Sequence, residues 1–247
     1  MTIVTPMAAR RPRAYVRVHG PDAEDFLQRM VSNDVTQGDV FDALLLTPKA
    51  RLIAPLRVWR RGAEDFLLGT EPELGEAVRS TLVRARFAAK CQIESEEHTS
   101  VLVWGRDFAA AEERIDSEVQ TTADDEALER ARIEAGVPAW GKELDESILP
   151  AEAGLDHTHI SFTKGCYPGQ EPIARLHYRG HVNRRLRVLE VESASPGDEV
   201  THEEKVVGRV TSAVRGRALA YVRTEVPEDA ALLVAGTTAT LIPAPRP

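Results

Sequence analysis

Cysteine is nearly missing from this chain: Cys91 and Cys166 are the only two in 247 residues, and no C-x-x-C pair occurs. A disulfide framework and a thiolate metal site of the usual spacing are therefore both excluded, and a reducing compartment is expected. Long apolar runs are also missing. Stretches such as residues 43–46 are far short of the ~20 residues that span a bilayer. The first twenty residues carry Arg10, Arg11, Arg13 and Arg17 but no apolar segment of secretory length, so the expectation is a cytoplasmic protein with no membrane partner. Positive charge does not dominate either. Lys and Arg number 31 against 39 Asp and Glu, a formal net charge of −8, which gives no global attraction for nucleic acid or anionic lipid. What remains is an ordinary globular profile, 43% hydrophobic and 28% charged, long enough for one large domain and one small one.

Periodicity places the elements. Ala23, Phe26, Leu27 and Met30 fall at i, i+3, i+4 and i+7 after Gly20-Pro21, which predicts a helix with Pro21 as its first residue, ended by Ser32-Asn33-Asp34. Residues 40–47, 52–59 and 66–69 read as short strands, and Pro55 predicts that its strand is an edge or bulged one. Leu74, Ala77, Val78, Thr81, Leu82 and Ala85 form the stripe of a second helix, followed by strand-like residues 87–93 and 101–104. The acidic segment 107–129 opposes nine carboxylates to Arg114 alone. Phe108, Ala111 and Ile115 suggest an amphipathic helix there, its acidity a solvated face. Beyond Gly180 the texture changes to alternating strands and turns (residues 181–191, 205–214 and 217–222), the pattern of a small all-β module. Residues 243–247 read as a frayed proline-rich end.

The chemistry concentrates in residues 164–187. Lys164, Arg175, Arg179, Arg184, Arg185 and Arg187 face only Glu171, a local charge of +5 in an acidic chain. Such a stretch either holds an anion (a carboxylate tail, a phosphate or an RNA backbone) or pairs with the acidic segment. Within it, Gly165 and Pro168-Gly169 make a tight loop, and Pro172 suits the first turn of a short helix running to Gly180. Cys166 then precedes a helix N-terminus, where the dipole and nearby cations favour the thiolate. Arg175 and Arg179, at i and i+4, reach one ligand together, and Tyr167 offers a flat ring for stacking. His157 and His159 sit two apart on an apparent strand, but no third metal ligand accompanies them. Cys91 reads as a strand residue. Glu134, in Arg132-Ile133-Glu134-Ala135-Gly136, can accept two parallel N–H bonds from an amino-pyrimidinone edge or serve as an exposed helix-end residue.

Residues 164–171, Lys-Gly-Cys-Tyr-Pro-Gly-Gln-Glu, closely resemble the K-G-C-Y-x-G-Q-E signature of the YgfZ family, folate-binding relatives of the glycine-cleavage T-protein. Residues 20–35 and 132–144 resemble the family's G-x-D-A-x-x-F-L-Q…N-D-V and R-I-E-A-G-x-P segments. The resemblance implies an α+β, T-protein-like fold with a small C-terminal β-barrel, divided as a folate-binding region 1–180 and a barrel domain 181–247. It implies tetrahydrofolate, or another folate, as cofactor, with Glu134 reading the pterin and Tyr167, Gln170, Glu171 and Arg175 shaping the rim. Cys166 and Lys164 become the candidate catalytic residues; no metal site is implied.

Aminomethyltransferase relatives carry an aspartate where residues 50–55 here, Ala-Arg-Leu-Ile-Ala-Pro, have no carboxylate. Without that acid the group that handles a substrate amine is missing. The expectation is thus an accessory protein supporting assembly or repair of iron–sulfur enzymes, including tRNA-modifying ones, with those enzymes or their assembly machinery as partners. The alternatives are a folate-dependent aminomethyltransferase or other one-carbon transferase, and an RNA-contacting module built on the arginine stripe.

Overall fold

A computed structural model describes residues 6–242. In chain order the elements are β1 (Met7–Arg10), β2 (Ala14–His19), α1 (Ala23–Met30), β3 (Val40–Leu46), β4 (Leu52–Gly62), β5 (Asp65–Thr70), α2 (Gly75–Ala85), β6 (Gln92–Glu96), β7 (Ser100–Trp104), β8 (Glu112–Ile115), α3 (Asp125–Glu134) and α4 (Gln170–Arg179). The last six strands are β9 (Arg184–Val191), β10 (Glu199–His202), β11 (Lys205–Val214), β12 (Gly216–Arg223), β13 (Leu232–Val234) and β14 (Thr237–Ile242).

The first sheet is antiparallel, in the order β3-β4-β5-β2-β6. Alternation gives it two faces. Val16, Val18, Leu56, Val58, Phe66 and Leu68 point to one side, where Phe26 and Leu27 of α1 and Val78 and Leu82 of α2 complete a buried core. Each of those large side chains stabilises the packing by about 1.5–3 kcal/mol through burial. The other face carries Tyr15, Arg17, Arg57 and Trp59, tied to its surroundings by ion pairs such as Arg17–Asp65 (3.0 Å) and Arg57–Asp42 (2.9 Å). A second, three-stranded sheet, β1-β7-β8, joins it through the buried Glu113, whose carboxylate accepts a forked pair of bonds from Arg13 at 2.8 and 2.9 Å.

The six C-terminal strands close into a barrel, β10-β11-β12-β9-β14-β13, lined by Leu189, Val191, Val200, Ala218, Ala220, Leu232 and Val234. Among the described residues no helix is long and apolar enough to cross a membrane.

Several expectations need correction. Pro21 lies in a turn before α1, whose cap is Asp22. The strand holding Pro55 is interior and bulged, the second of the two expected forms: its register with β3 shifts beside Ala54, and residues 52–56 run past the ladder with β5, which starts at Arg57, so Pro55 sits where no N–H is needed on that side. Residues 87–91 are not strand: Phe87 adopts a left-handed φ of 43° and points into solvent, and β6 begins only at Gln92, one residue beyond the buried Cys91. The helix expected at 108–115 is instead a turn at Phe108–Ala111 followed by β8, and the helix of the acidic segment starts at Asp125, capped by the Asp124 carboxylate on Ala127 N–H at 2.9 Å. His157 closes a single 3-10 turn, so it and His159 do not share a strand face. The frayed end expected at 243–247 lies outside the described residues.

Candidate functional site

The loop 164–169 is held against the strand β3 side of the molecule by a close backbone approach. Gly169 has φ 85°, and a Cβ there would stand 2.7 Å from the Thr47 carbonyl oxygen and 3.0 Å from Ala50 Cα; only glycine allows that conformation at that distance. Helix α4 starts at the next residue, with Pro172 in its first turn where a missing N–H leaves nothing unpaired. Ile173 anchors it in a cluster with Leu44, Leu52, Ile160 and Tyr167.

Lys164 serves as a strut. Its Nζ donates to the carbonyl oxygens of Val31 at 2.8 Å and Asn33 at 2.7 Å, and it lies 5.5 Å from the centre of the Tyr167 ring. Burial, against the pull of Asp34, holds its pKa down to about 8. The segment it grips is itself fixed. Ser32 Oγ donates to the His159 carbonyl at 2.6 Å, and Asn33 Nδ2 donates to the carbonyls of Asp42 and Thr158 at 2.7 and 3.1 Å. His159 is thereby enclosed, and burial lowers its pKa.

Tyr167 is 6% exposed, and its hydroxyl is buried with no hydrogen-bond partner. Burial pushes the phenol up to about 12, so it keeps its proton at neutral pH and has a donor to give. An unmatched buried hydroxyl costs about 1–3 kcal/mol, which a polar group brought by a ligand recovers. Cys166, one residue earlier, is exposed. Gln170 opens α4 half-buried. Glu171 and Arg175 face solvent one turn on and bond each other at 2.8 Å.

The structure thus gathers Lys164, Cys166, Tyr167 and Gln170 in one loop and keeps Glu171 and Arg175 on the adjoining helical turn. Glu134 stands apart. It ends α3, half-exposed, 3.7 Å from Arg130, and shares no hydrogen bond or ion pair with the loop among the described residues.

Along α4 lies a cavity of about 390 Å³ whose lining includes Ile160, Phe162, Ile173, Leu176, Arg175 and Arg179. The Phe162 ring stacks on His177 at 3.8 Å and 20°. The slot is apolar and aromatic, with guanidinium groups in its wall. No group of three or more metal-ligating side chains occurs among the described residues. The carboxylate beside Pro55 in the sheet, Asp42, is engaged by both Nε and Nη of Arg57 at 2.9 and 3.1 Å.

Sequence reasoning missed a buried network next to the expected pterin reader. Arg132 donates to Glu143 at 2.7 Å, to Ser212 Oγ at 2.8 Å and to Glu129 at 2.6 Å, while Ser212 Oγ donates to Glu143 at 2.6 Å and Tyr221 OH to the Glu143 carbonyl at 2.9 Å. The Arg132 hydrogen bonds bring Glu129 to about 2, with burial and Lys142 as further influences. The only trace in sequence was the R-I-E-A-G segment itself, where the structural weight falls on Arg132 and not on Glu134.

Residues 183–246 match the family model for the CAF17 C-terminal β-barrel domain. Over most of its length the chain is similar to the mouse mitochondrial iron–sulfur cluster assembly factor IBA57, 26% identical across 83% of this chain and 72% of that protein. It is also similar to an uncharacterized Haemophilus influenzae protein, 25% identical across 81% of each. The chain is thus similar along most of its length to IBA57-type proteins and carries a CAF17-type C-terminal barrel. The fold of the chain is that of the glycine-cleavage aminomethyltransferase T from Bartonella henselae, with a TM-score of 0.81 at 18% identity over 96% of this chain and 85% of that one.

Proposed function

We propose that the chain is a folate-binding accessory protein of iron–sulfur enzyme assembly or repair, acting in the cytoplasm, with tRNA-modifying enzymes among its clients. The observation that carries the reading is the loop itself: an exposed thiol at Cys166 directly beside the buried, unpartnered hydroxyl of Tyr167. The similarity to a protein named as an iron–sulfur cluster assembly factor supports the client class.

The residues present fit a folate. Tyr167 has an unpartnered hydroxyl, and the slot along α4, which Tyr167 does not itself line, has apolar and aromatic walls with Arg175 and Arg179 among them, the chemistry a flat ring with an anionic tail would use. Bound there, a folate supplies one-carbon or pterin redox chemistry. Tyr167 and Gln170 would bind its polar edge, Arg175 its tail, and Glu134 keeps the pterin amino group by resemblance alone. Lys164 holds the loop in place through the Val31 and Asn33 carbonyls. In this reading region 1–180 carries the ligand and 181–247 the barrel.

An aminomethyltransferase needs a free carboxylate near the reacting carbon. Ala54 and Pro55 offer none, and Asp42 is committed to Arg57, so the accessory role is favoured. Calorimetric titration with tetrahydrofolate tests it, using Glu134→Ala, Tyr167→Phe and Cys166→Ser. Binding weakened about tenfold by Tyr167→Phe and untouched by Cys166→Ser is expected, with client-enzyme support lost in Cys166→Ser. Absence of binding by the parent chain overturns the reading.

A further inference from the structure

The arginine stripe that begins in α4 does not stay on one surface. In β9, Arg185, Arg187, Leu189 and Val191 share a parity, and their partners across the ladder are Val222, Ala220, Ala218 and Gly216 of β12. Leu189, Val191, Ala218, Ala220 and Val222 line the barrel interior. The inward row of β9 therefore ends in two arginines, where a barrel of this size is otherwise filled by aliphatic side chains.

These two guanidiniums open onto a cavity of about 280 Å³ at the barrel mouth, walled also by His181, Val222, Arg223 and Thr224. Arg187 has a side chain only 20% exposed, yet among the described residues it makes no hydrogen bond, and its one ionic partner there is Glu228, at a long 3.5 Å and itself 76% exposed. Arg185 has neither a hydrogen bond nor an ion pair among the described residues. Arg223, across the ladder from the outward-facing Arg184, reaches Glu225 at 3.3 Å in solvent. The neighbouring polar groups are already used: Thr224 donates its hydroxyl to the Val182 carbonyl and its N–H to that of Asn183. The contrast with Arg184, which faces outward, is sharp. It is bonded to Glu152 at 3.0 Å and packed 4.9 Å over the Tyr221 ring.

Two guanidiniums converging on one small cavity repel one another, and a half-buried guanidinium with unused donors is costly. An anion relieves both. Two cations match a dianion better than a single carboxylate, and a phosphomonoester supplies two charges with three acceptor oxygens that guanidinium forks fit. We propose that the mouth of the C-terminal barrel is a binding site for a phosphate dianion, taken either as the free ion or as the terminal phosphate of a small ester. Arg185 and Arg187 hold the oxygens from the strand, and Glu228 gives way. The site uses none of the groups assigned to folate.

The test uses the full chain labelled with nitrogen-15, following arginine Nε–Hε resonances during titration with inorganic phosphate, phenyl phosphate and succinate at constant ionic strength. Saturable shifts confined to Arg185 and Arg187 are expected. Arg185→Met, at an exposed position that leaves the fold intact, weakens phosphate binding at least tenfold, and Glu228→Gln strengthens it. Arg209→Met, on an exposed arginine elsewhere in the barrel, changes nothing. Tighter binding of phenyl phosphate than of phosphate supports an ester ligand, and equal binding supports the free ion. Unsaturable shifts, equal shifts at Arg209, unchanged affinity in Arg185→Met, or succinate binding as tightly as phosphate overturns the proposal.

Discussion

Lys164 Nζ lies 2.7 Å from the carbonyl oxygen of Asn33, joining two stretches of chain 131 residues apart. Together with its bond to Val31 it fixes the loop that presents Cys166. Lys164→Met leaves two buried carbonyls short of a donor, and the expected loss of stability is about 2–4 kcal/mol, measured by urea unfolding. A loss below 0.5 kcal/mol would show that the strut carries no weight.

Tyr167→Phe has the opposite sign. Removing a buried hydroxyl that has no partner stabilises the ligand-free chain by about 1 kcal/mol while weakening folate binding. Thermal denaturation without and with tetrahydrofolate separates the two effects. Destabilisation of the free chain would mean that the hydroxyl is already satisfied.

The two cysteines differ in access, Cys166 exposed and Cys91 4% exposed with its thiol pKa raised by burial. One thiol per chain should react promptly with a maleimide in native buffer and two in urea, and Cys166→Ser should abolish the native reaction without moving the melting temperature.

His98 bridges Glu96 at 2.8 Å and Asp116 at 2.6 Å. Burial opposes its charge, but the hydrogen bonds to Asp116 and Glu96 outweigh that and raise its pKa above the ordinary value. Since the folded chain binds this proton more tightly than the unfolded one, the bridge contributes fully below about pH 6.5 and fades as pH rises through the folded value. Stability should fall as pH rises above about 6.5, through the raised folded value, and His98→Gln should flatten that slope. An unchanged slope in the variant removes His98 as its source.

Glu143→Gln breaks the ionic core of the network between α3 and the barrel. Losing one partner of a buried ion pair costs about 3–5 kcal/mol, lessened here because Arg132 keeps Glu129. Calorimetry should also show a single unfolding transition split in two, since Ser212 on the barrel loses its charged acceptor and only the Tyr221 bond to the Glu143 backbone carbonyl remains. A single transition retained at the parent temperature refutes the link.

Local pattern made some of this readable and distance hid the rest. Helix α1 showed itself in Ala23, Phe26 and Leu27, because amphipathic spacing and burial coincide there, and α4 showed itself in Pro172 and Gly180. Strand β8 did not. Phe108, Ala111 and Ile115 mimic helical spacing, while the feature that makes the segment a strand is the partnership of Glu113 with Arg13, a hundred residues away. Phe87 looked like strand and sits in a left-handed turn beside solvent. The loop at Cys166 was legible as a motif, but Lys164 as a strut needed Val31 and Asn33, and the clasp at Glu143 needed Ser212 and Tyr221, neither of which any window of sequence brings together.

The barrel strands pair all the way round, β13 with both β10 and β14, and β14 with β9. No row of backbone amides is left open there to template another chain. The five-stranded sheet, by contrast, ends in β3, whose outer edge is bridged by Val31, Ser32 and Asn33, and in β6, the less covered edge among the described residues. When the chain is heated or refolded at high concentration, strand-by-strand association starts in the N-terminal half, and the barrel is carried along as an intact passenger.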